Sequence, residues 1–219
     1  MNTWSDFIVV TVLLMNLMML SSSRIRTCIK IVALQGVLIG LMPLLAEAHS
    51  MSFGAAAISL FSILLKGVLF PYLLLRALQE ANIRKEVEPL GGYPLSLLMG
   101  VALFGLSFWL SAQLLSSQPF VSHLAASVSF ATFFTGVLVI VSRMKAITQV
   151  IGYLVLENGI YLFGSVFLAK QSLLVELAIL LDIFVAVFVM GIAIFHISRE
   201  FDHIDTHKLS ELKDSTTEG

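Results

Sequence analysis

The chain has 219 residues, of which 58% are hydrophobic and only 12% are charged, and its mean hydropathy is +0.96. A soluble domain carries about 25% charged residues, so this composition leaves too little polar surface to cover the chain in water. The net charge of −1 gives no reason to expect a nucleic-acid partner. A single cysteine, Cys28, excludes an internal disulfide and a metal or cluster site built from cysteines.

Seven apolar segments reach the length of about 20 residues that a helix needs to cross a bilayer. We expect the first to be a retained helix rather than a signal peptide, because the residues before its apolar core include Asp6 and no Lys or Arg. The connections are mostly short, as between antiparallel neighbours. We predict an all-α integral membrane protein with about seven transmembrane helices, at 3–21, 29–47, 53–76, 94–115, 123–142, 148–169 and 173–197.

The longest connection, 77–93, is rich in charged residues and is a plausible seam between two halves of the chain. We predict an N-terminal four-helix part at 1–115, a C-terminal three-helix part at 116–198 and a cytoplasmic tail at 199–219. A short similarity between the third and seventh spans leaves open whether the first three spans are repeated as the last three.

The basic residues predict the orientation of the chain, because Lys and Arg are retained on the cytoplasmic side of a membrane. With seven spans, eleven basic residues fall on one side, Lys170 alone falls on the other, and Lys66 lies inside the third span. We therefore predict an outer N-terminus and a cytoplasmic C-terminus in a bacterial inner membrane. The eleven residues are Arg24, Arg26, Lys30, Arg76, Arg84, Lys85, Arg143, Lys145, Arg199, Lys208 and Lys213.

Ionisable residues inside the predicted spans are the most informative feature of the sequence. Each charge costs about 2.5–3.5 kcal/mol at the centre of a membrane helix, and a structural protein avoids that cost by using leucine. Lys66, Glu157 and Asp182 lie near the middle of their spans, and Glu176 lies nearer the outer end of the seventh. Residues that persist there pair with one another, line a wet cavity or relay ions. We interpret these four as a proton relay.

Glu157 is flanked by Tyr153 and Tyr161, four residues away on either side and therefore on the same helical face. Two phenols can hydrogen-bond a carboxyl group in either protonation state, which suits a relay. The alternative is that Glu157 is a neutral, hydrogen-bonded packing residue. Asp182 is predicted at the same depth, whereas Glu176 lies roughly 9 Å further out along its helix and could instead face the headgroups.

Lys66 precedes Gly67 and lies five residues before Pro71. Proline cannot donate the hydrogen bond to the carbonyl four residues earlier, so the helix is expected to bend beside the lysine. Ser59 and Ser62 extend the polar face. A bent helix with a buried lysine suits a hydrated pathway. The alternative is a static ion pair that locks two helices together, for example with an acidic residue of a partner subunit.

Four segments resemble one known family. The third span contains Lys66-x-Val68-Leu69 and the sixth contains Ile151-Gly152-Tyr153-x-x-x-Glu157-Asn158-Gly159. The seventh contains Leu174-Val175-Glu176-Leu177-Ala178-Ile179-Leu180-Leu181-Asp182-Ile183-Phe184, and the tail contains Ile204-Asp205-x-x-x-Leu209-Ser210-x-Leu212-Lys213. All four look like component E of the hydrogenase-4 type formate hydrogenlyase, and the resemblance spans nearly the whole chain.

This resemblance has implications for the C-terminal half. Component E is related, through its last three helices, to the K-type subunit of complex I and to a small subunit of multisubunit sodium/proton antiporters. In the K-type subunit, carboxylates of the second and third helices belong to a chain of buried charges. Glu157 matches the first of them through its Leu-Glu-Asn context, and Asp182 lies about half a turn from the second. The redox cofactors of such complexes belong to other subunits, so no cofactor or metal is expected in this chain.

The resemblance predicts a non-catalytic ion-pathway subunit of a complex I-related membrane-bound hydrogenase of the formate hydrogenlyase type. Its partners would be antiporter-like and quinone-reductase-like anchor subunits in the membrane and, indirectly, the peripheral hydrogenase arm. Glu157 and Asp182 would exchange protons, and the charge of Lys66 would influence their protonation. Two alternatives stay open: a subunit of a cation/proton antiporter without a redox partner, and a structural or assembly subunit whose charges form static pairs.

Overall fold

The computed structural model describes residues 3–46, 53–80, 92–115, 122–143, 145–167 and Gly191. This part of the chain is all helical apart from short connections. The segments, in chain order, are α1 (Thr3–Ser21), α2 (Ile25–Ala46), α3 (Phe53–Leu64), a π-helical segment (Leu65–Leu69), α4 (Phe70–Glu80), α5 (Gly92–Leu114), α6 (His123–Ser142) and α7 (Ala146–Phe167).

Five of the described helical stretches are long and apolar enough to cross a membrane, and they coincide with the first five predicted spans. They are Trp4–Ser21, Ile25–Met42, Ser59–Gln79, Gly92–Leu114 and His123–Ser142. The sixth predicted span corresponds to α7, a helix of 22 residues that is not among the five and that contains Gln149, Glu157 and Asn158. The seventh, 173–197, lies outside the described residues apart from Gly191. The chain is therefore a multi-pass membrane protein, while the count of seven and the orientation stay predictions.

Two helix boundaries differ from the predicted ones. The second helix begins at Ile25, four residues before the predicted start, so that Arg26 and Lys30 lie within its first two turns. Both side chains are exposed there, because long basic side chains keep their charged ends in water while their stems follow the helix. The helix that contains Lys66 continues to Glu80 rather than ending at residue 76, since the side chains of Ala77 and Leu78 remain buried.

Within the described bundle, α6 and α7 form the most extensive helix–helix contact, and three glycines explain it. A side chain at Gly136 on α6, or at Gly152 or Gly159 on α7, would collide with the backbone of the facing helix. Small residues let the backbones of membrane helices approach closely, which is how such helices gain packing energy. Gly152 and Gly159, seven residues apart, therefore lie on the face of α7 that packs against α6.

Arg143 joins two connections at one end of the bundle. It follows α6 directly, its side chain is buried, and both terminal guanidinium nitrogens donate to the carbonyl oxygen of Ser22 at 3.4 Å. Ser22 comes directly after α1, so the cation lies at the C-terminal end of that helix, where the helix dipole favours positive charge. The α1–α2 and α6–α7 connections therefore lie on the same side, as alternation of the spans requires.

Candidate functional site

An ion pair lies in the interior of the helix bundle. Nζ of Lys66 is 2.7 Å from Oε1 of Glu157, and the two side chains are 6% and 2% exposed. At this separation two opposite charges attract each other strongly in a protein interior, where the dielectric constant is low. The pair joins the π-helical segment to α7, and so brings together two of the four residues that the sequence analysis proposed as a relay.

The burial of this pair makes it sensitive to the loss of one partner. Removing two charges from water costs several kcal/mol per ion, and their attraction repays that cost only when the geometry is good. Removing one partner alone leaves an uncompensated buried charge and typically costs about 3–5 kcal/mol. The fold therefore depends on both charges being present, or on the remaining group becoming neutral by gaining or losing a proton.

The π-helical segment explains how Lys66 is presented to α7. The backbone N–H of Phe70 donates to the carbonyl of Leu65, five residues earlier, instead of four. Pro71 has no N–H to donate to the carbonyl of Gly67, so the regular α-helical pattern cannot continue there. The disturbance that Pro71 predicted thus takes the form of one wide turn, a feature that occurs frequently at functional sites.

Two further residues contact Lys66. The ring of Tyr161 on α7 lies under the ammonium group, with Nζ 4.9 Å from the ring centroid, which is a cation–π distance. On the α2 side, a Cβ atom at Gly36 would lie 2.7 Å from Cβ of Lys66, so α2 passes the lysine stem only because position 36 has no side chain. The predicted common face of Glu157 and Tyr161 is confirmed by their shared contact with Lys66.

A row of hydrogen-bonded polar side chains begins next to Glu157. Asn158 Nδ2 donates to Oε1 of Gln35 at 3.5 Å, and Gln35 Nε2 donates to Oδ1 of Asn16 at 2.8 Å. Asn16 Nδ2 then donates to the hydroxyl of Thr132 at 2.7 Å, and that hydroxyl donates to the carbonyl of Val128 at 2.7 Å. We call Asn158, Gln35, Asn16 and Thr132 the amide chain; they come from α7, α2, α1 and α6, and all are buried.

The amide chain was not predicted from the sequence. A carboxylate or an ammonium in a membrane span is conspicuous because of its cost, whereas a single amide or hydroxyl is a common helix–helix contact in membranes. The available signal was that Asn16 and Gln35 are isolated polar residues near the middle of otherwise apolar stretches. Asn158 was quoted only as part of the motif around Glu157.

The other predicted site residues have different outcomes. Ser62 is buried one turn before Lys66. Tyr153 lies one turn before Glu157 and is partly buried against a cluster of apolar side chains. Asp182 and Glu176 lie outside the described residues. Within the described ranges, no group of three or more His, Cys, Asp or Glu side chains is arranged to hold a metal ion.

Comparison with known proteins gives matches of two kinds. Residues 124–214 match the family of NADH-ubiquinone/plastoquinone oxidoreductase chain 4L. An uncharacterized protein of Mycobacterium tuberculosis is 29% identical over 210 residues, which is 95% of this chain and 96% of that protein. Hydrogenase-4 component E of Escherichia coli K12 and of Shigella flexneri are each 34% identical over 89 residues, or 41% of either chain. No solved structure matches the chain.

The matched family region contains only part of the buried polar site. Glu157, Asn158 and Thr132 lie within residues 124–214, whereas Lys66 and Gln35 precede that region. The site therefore combines residues of the chain 4L-like half with residues that the N-terminal half of the chain adds to it.

Proposed function

We propose that this chain provides part of an ion pathway in a multisubunit redox complex. The proposal starts from the finding that the chain is a complex I-related membrane subunit homologous to hydrogenase-4 component E. Glu157 accepts and releases a proton in this pathway, and Lys66 is its charged partner. Electron transfer belongs to other subunits of the complex. The observation that carries the proposal is the buried contact of 2.7 Å between these two side chains.

A proton that reaches this site disturbs the charge balance of the ion pair. A proton that binds Glu157 removes the negative charge, and the ammonium of Lys66 then lacks its buried counter-ion. The system can relieve that cost if Lys66 moves, if Lys66 gives up a proton, or if a negative charge arrives elsewhere. Protonation of Glu157 is therefore coupled to a second charge movement, which is the property that an ion pathway requires. Ionisable residues inside membrane segments commonly mark such pathways.

The finer parts of the proposal rest on the resemblance described above. We propose a complex of the formate hydrogenlyase type in a bacterial inner membrane, in which antiporter-like and quinone-reductase-like anchor subunits flank this chain. Asp182 would exchange protons with Glu157, and Glu176 would continue the relay toward the outer side. Both residues lie outside the described part of the chain, so their roles are proposed from their positions in the sequence.

The direct contact between Lys66 and Glu157 also supports a second candidate function. Lys66 contacts both Glu157 and Tyr161, so the lysine could act as a fixed lock between α7 and the π-helical segment. The chain would then be a structural or assembly subunit. A subunit of a cation/proton antiporter without a redox partner would use the same residues as the main proposal. The genes that neighbour the gene for this chain would distinguish an antiporter from a redox complex.

The experiment compares ion pumping in inverted membrane vesicles that contain wild-type complex or the Glu157→Gln variant at matched subunit levels. Glutamine keeps the shape of the side chain but cannot exchange a proton near neutral pH. We expect pumping to fall at least about tenfold while the complex stays assembled, a loss typical of removing a general acid–base group. Ser165→Ala is the matched control on α7, because the Ser165 hydroxyl donates to the carbonyl oxygen of Leu162 on the same helix. Unchanged pumping in assembled Glu157→Gln would favour the structural function.

A further inference from the structure

We propose that the amide chain positions Glu157 against Lys66, so that Gln35 and Asn158 are positioning residues of the ion pair and Thr132 acts on it from α6. The relevance of this for transport rests on the proposed function. The geometric claim, that the amide chain sets the environment of the Glu157 carboxyl group, can be tested independently of transport.

The ion pair and the amide chain share neighbouring residues on two helices. On α7, Glu157 forms the ion pair with Lys66, and the next residue, Asn158, donates a hydrogen bond to Gln35. On α2, Gln35 holds Asn158 and the next residue, Gly36, lies against the stem of Lys66. A displacement of α7 that breaks the contact between Gln35 and Asn158 therefore also changes the distance between Glu157 and Lys66.

The hydrogen bonds of the amide chain all run in one direction. Each NH₂ group donates to the oxygen of the next residue, from Asn158 through Gln35 and Asn16 to Thr132, whose hydroxyl donates to a backbone carbonyl. Turning one amide over would place oxygen against oxygen or nitrogen against nitrogen at its contacts. The orientation is therefore collective, and a change at the Thr132 end is transmitted to Asn158.

The side chains of the amide chain can position the ion pair but cannot conduct a proton as a carboxyl group does. Side-chain amides have no titration near neutral pH, so Gln35 and Asn16 cannot store a proton as a carboxyl group can. Buried polar groups that lose a partner cost about 1–3 kcal/mol each, which makes the bonded arrangement strongly preferred. The amide chain is thus suited to hold α1, α2, α6 and α7 in one arrangement, and it leaves the proton to Glu157.

The test uses infrared difference spectroscopy on membranes that contain the assembled complex. The band of Glu157 is identified as the carboxyl or carboxylate band that disappears in Glu157→Gln. Three variants probe the amide chain: Thr132→Val removes the hydroxyl at similar shape, Thr132→Ser keeps it, and Gln35→Leu removes the amide nearest the ion pair. Thr135→Val is the matched control, since Thr135 is also buried on α6 and lies less than one turn away.

We expect the Glu157 band to shift in Thr132→Val and Gln35→Leu, and to keep its wild-type position in Thr132→Ser and Thr135→Val. Unshifted bands in both Thr132→Val and Gln35→Leu would overturn the proposal. An equal shift in Thr135→Val would also overturn it, because that shift would indicate a general packing effect. If Gln35→Leu does not assemble, the two Thr132 variants and the Thr135 control decide alone.

The result is separable from the test of transport. The band position is measured without any pumping, so a shift in Thr132→Val supports positioning even if Glu157→Gln pumps normally and the transport function is wrong. Conversely, lost pumping in Glu157→Gln with an unshifted band in Thr132→Val and Gln35→Leu would keep the transport function and reject the positioning role.

Discussion

Lys66 and Glu157 come from opposite halves of the chain, yet their charged atoms lie 2.7 Å apart in the interior of the bundle. Only Glu157 belongs to the region that matches the chain 4L family. The N-terminal half thus supplies the counter-ion for a carboxylate of the family-like half. A subunit that consisted of the matched region alone would present Glu157 without this lysine.

Because α2 passes close to Lys66 at Gly36, adding one methyl group at position 36 is predicted to affect both stability and pumping. Gly36→Ala would place its Cβ 2.7 Å from Cβ of Lys66, and overpacking of this kind typically costs about 1–3 kcal/mol. We expect a lower melting temperature and reduced pumping. Thermal unfolding of the purified complex measures the melting temperature, and the vesicle assay measures pumping.

Gly105→Ala is the matched control for this prediction. Gly105 lies inside α5, and a Cβ atom there would meet no atom within 4 Å. Alanine is favoured over glycine in a helix interior by about 0.5–1 kcal/mol, so this variant should be neutral or slightly more stable. Equal destabilisation by both substitutions would show that the close contact at Gly36 does not matter.

Pro71 is predicted to maintain the π-helical segment. Pro71→Ala supplies the missing N–H, so the α-helical hydrogen bond to the carbonyl of Gly67 can form and the wide turn can revert. Lys66 would then rotate relative to α7, and we expect pumping to fall while assembly is kept. Hydrogen exchange of the backbone amides from 65 to 71 measures the change in the turn.

Pro94→Ala provides the comparison, because Pro94 lies in the first turn of α5, where proline removes no helical hydrogen bond. Pumping by the Pro94→Ala variant, and hydrogen exchange of its backbone amides from 65 to 71, should match the wild type. Unaltered exchange and pumping in Pro71→Ala would mean that the wide turn has a cause other than the proline.

Arg143 is predicted to contribute to stability rather than to transport. Arg143→Met removes the donors to the Ser22 carbonyl, and a hydrogen bond from a charged group contributes about 1.5–3 kcal/mol. We expect a lower melting temperature with the pumping of the assembled complex unchanged. Arg24→Met removes the same charge from an exposed position at the same end of the bundle and should have little effect.

The sequence singled out the ionisable residues inside the spans but did not say which of them pair. The cost of a charge in a membrane span singled out Lys66 and Glu157, and helical periodicity correctly placed Tyr161 on the face of Glu157. Periodicity acts within one helix, however, and cannot say which helices are neighbours. That is decided by contacts such as Gly36 against Lys66, where the absence of a side chain lets two helices meet.

Other predictions had mixed outcomes. The resemblance to component E and its relation to complex I are confirmed by the comparisons, but the match to component E covers 89 residues rather than nearly the whole chain. The expected disturbance before Pro71 is present, but as a π-helical segment, because proline in the sequence predicts the lost hydrogen bond and not how the backbone accommodates the loss. Asn16 and Gln35 were overlooked because an uncharged amide is inexpensive enough in a membrane helix to attract no notice. The roles of Asp182 and Glu176, the orientation and the domain boundaries stay predictions.

The most direct test of the central claim is pumping and assembly in Lys66→Met, Glu157→Gln and the double variant that combines them. Removing both members of a buried ion pair is often neutral for stability, whereas removing one typically costs about 3–5 kcal/mol. If the pair is part of the ion pathway, the double variant will assemble at least as well as Lys66→Met alone and will still fail to pump. A double variant that assembles and pumps like the wild type would contradict the account, because the pair would then be only a lock between helices.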